Sequence, residues 1–209
     1  MNLVLTARRR DRLYELANRL GNCAVVVGDV TCDEVPQRII DTALSEFGRC
    51  DVVLNGAGTM YAGSIEEIDI DTICSMVRVN FEAMTRMAYV SLKHFKKTGS
   101  GHLFNISSIL GTKVRPNTGP YAGSKYAVEA LSEALRMEVA KSDIKVTVIE
   151  PGIVKTELQN HFEVHPCQLL GVSNPLLPCD VARCVRFVLQ QPSHVRIPVM
   201  MVLPSDQAM

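Results

Sequence analysis

Three short runs, AVVV at 24–27, DVVL at 51–54 and KVTVI at 145–149, are apolar at nearly every position. A strand wetted on one face alternates apolar with polar residues. Strands without alternation are buried on both faces, as in a parallel sheet covered by helices. The sequence predicts strands over 2–6, 23–27, 51–55, 101–107, 144–150 and 196–203. It predicts helices over 9–20, 32–48, 69–97, 120–141 and 180–190. Gly21 stops the first helix, and Pro36 stands in the first turn of the second, where a missing N–H costs nothing. This alternation implies right-handed βαβ units and a doubly wound α/β domain. No repeat, low-complexity tract or linker interrupts it, so 1–209 reads as one domain, long enough for a sizeable core. Only 159–178 carries neither period, the mark of a functional or mobile connection.

Composition limits the partners. Apolar residues make up 47% and charged residues 21% of the chain, ordinary for a soluble globular protein. A formal net charge of zero argues against a general nucleic-acid binder or a polybasic membrane module. No apolar run approaches the ~20 residues that span a bilayer. The opening residues are too short for a signal h-region and have no basic segment before them. Seven cysteines without a CxxC spacing do not make a disulfide framework in a chain of this size. They read as small buried hydrophobes in a reducing compartment. The expectation is a cytoplasmic protein with a small-molecule partner, no nucleic acid and no membrane.

Open α/β sheets bind ligands at the carboxyl ends of their strands. The exits here read TARRR, GDV, NGAG, ISS and EPG. Glycine admits a ligand close to the backbone, although Gly and Asn are also common turn formers. Taken together the exits are more specific. NGAG at 55–58, Asn80 in RVN, NISS at 105–108, YAGSK at 121–125 and EPGIVKT at 150–156 resemble the short-chain dehydrogenase/reductase family in order and separation, across essentially the whole chain. Asn55-Gly56 stands where the family has two asparagines. The family's TGxxxGxG turn is absent, and the chain opens at what resembles the family's second strand. The expected fold is a Rossmann-like doubly wound parallel sheet missing its first β-α unit. The absent strand would lie between 2–6 and 51–55, which predicts a gap or altered pairing there.

The resemblance implies an oxidoreductase that interconverts an alcohol and a carbonyl, with Asn80, Ser108, Tyr121 and Lys125 as catalytic residues. Tyr121 and Lys125 are four apart and share a helix face. A phenol's ordinary pKa is ~10, and a nearby ammonium lowers it toward the working range. In the family the lysine also bonds the nicotinamide ribose, the serine orients the substrate oxygen, and the asparagine holds a water that links the lysine to solvent. Hydride transfer belongs to the nicotinamide.

An NAD-preferring fold ends its second strand with an acid for the ribose 2′-hydroxyl. Here Thr6-Ala7-Arg8-Arg9 occupies that exit, with no acid before Asp11. Arg8, Arg9, Arg10 and Arg12 crowd a helix start, where the dipole disfavours cations. A 2′-phosphate would offset this, so the expected cofactor is NADP(H), read by Arg8 and Arg9; a solvated basic turn is the alternative. By resemblance, Asp29 and Val30 contact adenine, and Asn55, Gly56, Ala57 and Gly58 line the adenosine side. Pro151, Gly152, Val154 and Thr156 flank the nicotinamide with Tyr121 and Lys125.

The stretch 157–178 falls where the family carries its substrate loop. His161, His165 and Cys167 are zinc-type ligands but lack a fourth, and a pocket lid is the preferred reading, with no metal. Ile109, Leu110, Asn117, Ile153 and Phe162 are then candidate substrate neighbours. ARRRDRL and VMMVLPSDQA are similar to the subgroup acting on small hydroxy acids and assorted aldehydes or ketones. In the 69–97 helix, Ile73, Met76, Val77, Met84, Met87 and Val90 fit a monomer core and the family's homodimer or homotetramer interface alike. The rival reading is a non-catalytic remnant of the family, a binding or regulatory module or an inactive chain, because the glycine turn is missing.

Overall fold

The computed structural model describes residues 1–208. In chain order these are β1 (Leu3–Ala7), α1 (Arg10–Leu20), β2 (Cys23–Val27), α2 (Val35–Phe47), β3 (Val52–Asn55), α3 (Ile70–Val77), α4 (Met84–Thr98), β4 (Ser100–Ile106), α5 (Gly119–Glu138), β5 (Asp143–Pro151), α6 (Pro166–Leu169), α7 (Pro178–Leu189) and β6 (Val199–Val202). Element ends follow local chemistry. Gly48, left-handed at φ 72°, closes α2 by donating its N–H to Leu44 O. Asp69 caps α3 by accepting from the Thr72 N–H at 2.7 Å.

The helix expected over 69–97 is not continuous. A π-helical turn, Arg78–Ala83, joins α3 to α4. Such bulges rotate a side chain out of the α-helical stripe, and the one turned inward here is Asn80, 2% exposed. Of the apolar positions on this helix, Met76, Met84 and Met87 are buried, and Val77 is exposed. None of the described helices is long and apolar enough to cross a membrane.

All strand pairs are parallel. β3-β4-β5-β6 form one sheet, with Asn55 opposite Asn105 and Ile106 opposite Ile149. β1 and β2 form a separate pair, and no ladder joins β1 to β3. The gap expected from the sequence is therefore present. Its cost is visible on β3, where Val52 and Leu54 remain 39% and 51% exposed, on a strand whose composition suits burial on both faces. α2 ties the two sheets together, because its Ile40 packs in one cluster with Val53, Met84 and Met87.

β4 and β5 are sandwiched. On one side Leu103, Ile144 and Val146 meet Leu92 and Phe95 of α4 and Val128 and Leu135 of α5. On the other, Phe104 and Ile149 meet Val188 of α7. Phe95, Leu103, Phe104 and Ile149 have no exposed surface, each burial contributing roughly 1.5–3 kcal/mol. Gly101 is required by this packing, since a Cβ there would overlap the Phe95 ring. The two-sided cover holds the C-terminal ends of β4 and β5 rigidly, and those ends carry the site.

Candidate active site

Ser108 follows β4 and caps a 3-10 turn, Ile109–Gly111, by accepting from the Leu110 N–H at 3.1 Å. This fixes its hydroxyl near α5, close enough to Tyr121 to favour the ionised phenol. Tyr121 and Lys125 lie on one face of α5, with the Lys125 Nζ 5.8 Å from the Tyr121 ring centre. Both are buried, at 6% and 5% exposure. Lys125 Nζ donates to Ile106 O at 2.9 Å, so β4 positions the lysine as well as the serine. Asn80 Oδ1 accepts from the Thr59 N–H, while its Nδ2 donates to Thr59 O, all at 2.8 Å, and to Ser124 Oγ at 3.2 Å. The four side chains expected to act together thus come from the π-turn, the β4 exit and α5, and they meet.

Their ionisation is set by burial. Lys125 is pulled down to about 8 by desolvation, opposed by Glu129. Tyr121 is pushed up by desolvation, opposed by the Ser108 hydrogen bond. Here the sequence expectation fails. Burial sets the direction and holds the phenol above its ordinary value, with the Ser108 hydroxyl opposing it. Tyr121 is a protonated phenol at neutral pH, held beside a hydroxyl and a lysine, an arrangement that can give a proton to a carbonyl oxygen.

The expected cofactor residues divide. Gly56, Ala57 and Gly58 are exposed along the β3 exit, and a Cβ on Gly58 would stand 3.3 Å from Asn80 Oδ1 and 3.9 Å from Lys125 Nζ. Asn55 differs: its Nδ2 donates to Asn105 Oδ1 at 2.9 Å and so clamps β3 to β4. Pro151 is buried, Gly152 and Val154 are half-buried, and Val154 bridges Leu176 while Thr156 caps the turn Glu157–Gln159. Asp29 accepts from the Thr31 N–H and hydroxyl and stands 3.6 Å from Arg8, which together hold its carboxyl low. Val30 beside it is half-buried. Arg9 and Arg12 both reach Glu157, at 2.5 and 2.6 Å, across the groove between the β1 and β5 exits.

Ile109, Leu110 and Phe162 pack with Tyr121, Met60 and Met76 in one apolar cluster, and Ile153 is buried nearby after β5. Asn117 stands apart from them in its role: left-handed at φ 64°, it turns the chain toward α5, and its carbonyl accepts from the Gly63 N–H. His161 lies between the Tyr61 and Phe162 rings, and His165 Nδ1 caps α6. Three contributors escaped the sequence reading. Glu157 lies one residue beyond the EPGIVKT motif, Glu129 extends the Tyr121–Lys125 stripe by one more turn, and Gln207 accepts from the Ile153 N–H at 2.8 Å. The first two were discoverable from spacing; Gln207 is a long-range contact without a local signal.

Comparison with known proteins agrees with this geometry. The family profile described as short chain dehydrogenase matches residues 1–165. An uncharacterized oxidoreductase of Staphylococcus saprophyticus is 33% identical over 214 residues, covering 99% of this chain and 87% of that protein. The alcohol dehydrogenase of the archaeon Thermococcus sibiricus, complexed with 5-hydroxy-NADP, superposes with TM-score 0.88 at 27% identity, covering 100% of this chain and 88% of the other. The closed form of serine dehydrogenase complexed with NADP+ gives TM-score 0.92 at 26% identity, covering 100% and 87%. Profile, sequence and fold converge: this chain belongs to the short-chain dehydrogenase family and is an oxidoreductase.

Proposed function

We propose that the chain interconverts an alcohol and a carbonyl with NADP(H), with Tyr121 as the general acid–base. The observation that carries this reading is the buried Ser108–Tyr121–Lys125 arrangement with Asn80 behind it. In the reducing direction, Ser108 and the Tyr121 hydroxyl bind the substrate oxygen and orient it. Tyr121 Oη releases its proton to that oxygen as charge develops there, and the Lys125 ammonium stabilises the phenolate left behind. Asn80 keeps the Thr59 loop and Ser124 in place and holds the path by which Lys125 reaches solvent. The apolar wall of Ile109, Leu110 and Phe162 excludes water and favours a small or moderately apolar substrate.

NADP(H) would supply the hydride. The exposed glycines at 56 and 58 would leave backbone open to the adenosine side, and Lys125 Nζ, close behind Gly58, would meet the nicotinamide ribose. Pro151 to Thr156 would flank the nicotinamide, and Asp29 and Val30 the adenine. Arg8 and Arg9 would read the 2′-phosphate, with Arg12 beside them. That T. sibiricus alcohol dehydrogenase and serine dehydrogenase were solved with NADP-type cofactors supports the same choice.

The test is Tyr121→Phe. Ring packing in the apolar cluster is kept and only the hydroxyl is lost, so turnover should fall by a factor on the order of a hundred or more while NADPH affinity stays within a few-fold. A variant retaining a tenth of the wild-type rate overturns the assignment.

A further inference from the structure

Helix α5 carries a third polar side chain on the Tyr121–Lys125 face. Glu129 is four residues beyond Lys125 and eight beyond Tyr121. Facing it, β5 delivers Glu150, which is 2% exposed. The Ser107 N–H donates to Ile149 O at 2.8 Å, which sets Glu150 next to Ser107 at the paired exits of β4 and β5. Burial pushes both carboxyls up, and through that proximity each also shifts the other's ionisation. Gly111 leaves them room: a Cβ there would stand 2.6 Å from Ser107 Oγ and 3.0 Å from Glu129 Oε1. The inaccessible Glu129 Oε1 and Ser107 Oγ have no hydrogen-bond partner among the described residues.

Two neighbouring carboxylates, one of them buried, repel each other and lose hydration. One proton between them converts the repulsion into a short O–H···O⁻ bond. It also leaves a single negative charge to face Lys125. The charged or titratable groups facing Glu129 are Lys125 from α5 and Glu150 from β5, with the neutral Ser107 hydroxyl from the β4 exit.

We propose that Glu129 and Glu150 share one proton beneath Lys125 and that Glu129 is a positioning residue, holding Lys125 charged for the acid–base step at Tyr121. The inference rests on the role given above to Lys125. Burial pushes Glu129 up to about 7, so the pair gives up its shared proton near neutrality. The second negative charge then appears as Lys125 approaches its own titration, pulled by burial to about 8. Lys125 consequently keeps its proton to higher pH than burial alone permits.

The experiment is a carboxyl and lysine 13Cε NMR titration of the chain carrying labelled glutamate and lysine. In the wild type one glutamate carboxyl titrates near 7. That resonance disappears in Glu129→Gln, and its midpoint falls in Glu150→Gln. In Glu129→Gln the Lys125 midpoint drops by about one unit, a shift that a merely structural residue would not produce; Glu129→Asp restores part of it. A wild-type spectrum in which every glutamate titrates below about 5.5 overturns the shared proton, even if no variant folds. An unchanged Lys125 midpoint in Glu129→Gln overturns the positioning role. Neither readout uses turnover, so full activity in Tyr121→Phe would remove the catalytic reading while leaving the carboxyl pair standing.

Discussion

A buried phenol and lysine on one stripe of α5, with Glu129 one turn on and Glu150 of β5 beside it, make this a site whose charges are governed by desolvation. The same physics acts at a residue remote from it. His102, on β4, stacks on Phe104 and meets Thr147 Oγ1 at 2.9 Å. Thr147 gives its own hydroxyl proton to Ile197 O, so His102 Nε2 carries the proton and donates. Burial, then Lys145 and Arg196, depresses His102 from 6.5 to about 4. A depressed histidine contributes stability that is fully present above 6.5 and lost as pH falls toward 4, a term on the order of 3 kcal/mol. Glu129 acts in the opposite sense: its folded pKa is raised, so its contribution is full below 4.5 and lost as pH rises through about 7. His102→Gln keeps an amide donor without a titrating ring, and its Tm should fall less than the wild type's between pH 6.5 and 4. Parallel Tm curves for the two proteins would show that His102 is not the titrating group. The Tyr121–Lys125 spacing was legible because four residues make one helix face; His102 was not, because its partners come from β5 and the segment before β6.

At the scale of elements, strands and helices were legible to within a few residues because apolar runs and glycine stops are local signals. The π-turn at Arg78–Ala83 was not, since it follows from the contacts of Asn80 with Thr59 and Ser124, which no periodicity encodes. The arginine cluster at the start of α1 was legible as a charge anomaly, but its partner was not. Arg9 and Arg12 are held by Glu157 from the turn after β5, so a 2′-phosphate would compete with that carboxylate. Glu157→Gln should therefore tighten NADPH a few-fold and leave NADH nearly unchanged. Replacing Arg8 and Arg9 with alanine should weaken NADPH by tenfold or more, and NADH much less, because charge-assisted contacts to phosphate are lost. Fluorescence titrations of both cofactors check this. Equal effects on the two would mean that these arginines do not read the 2′-phosphate.

Over the whole molecule, the sheet is divided between β1 and β3, and the pieces are joined by α2 and by the Arg9–Glu157 and Arg12–Glu157 pairs rather than by a ladder. The break between β1 and β3 was legible in advance from the order of the strand-exit motifs. The acid–base residues sit on the far side of this gap, at the β4 exit and on α5. The account is tested most directly by incubating this chain with millimolar NADPH, deuterated at the transferable C4 position, and a panel of aldehydes and ketones, followed by mass analysis of the alcohols. The predicted result is slow formation of singly deuterated alcohol by the wild type and none by Tyr121→Phe. No labelled alcohol from the wild type, or equal label from both proteins, would contradict it.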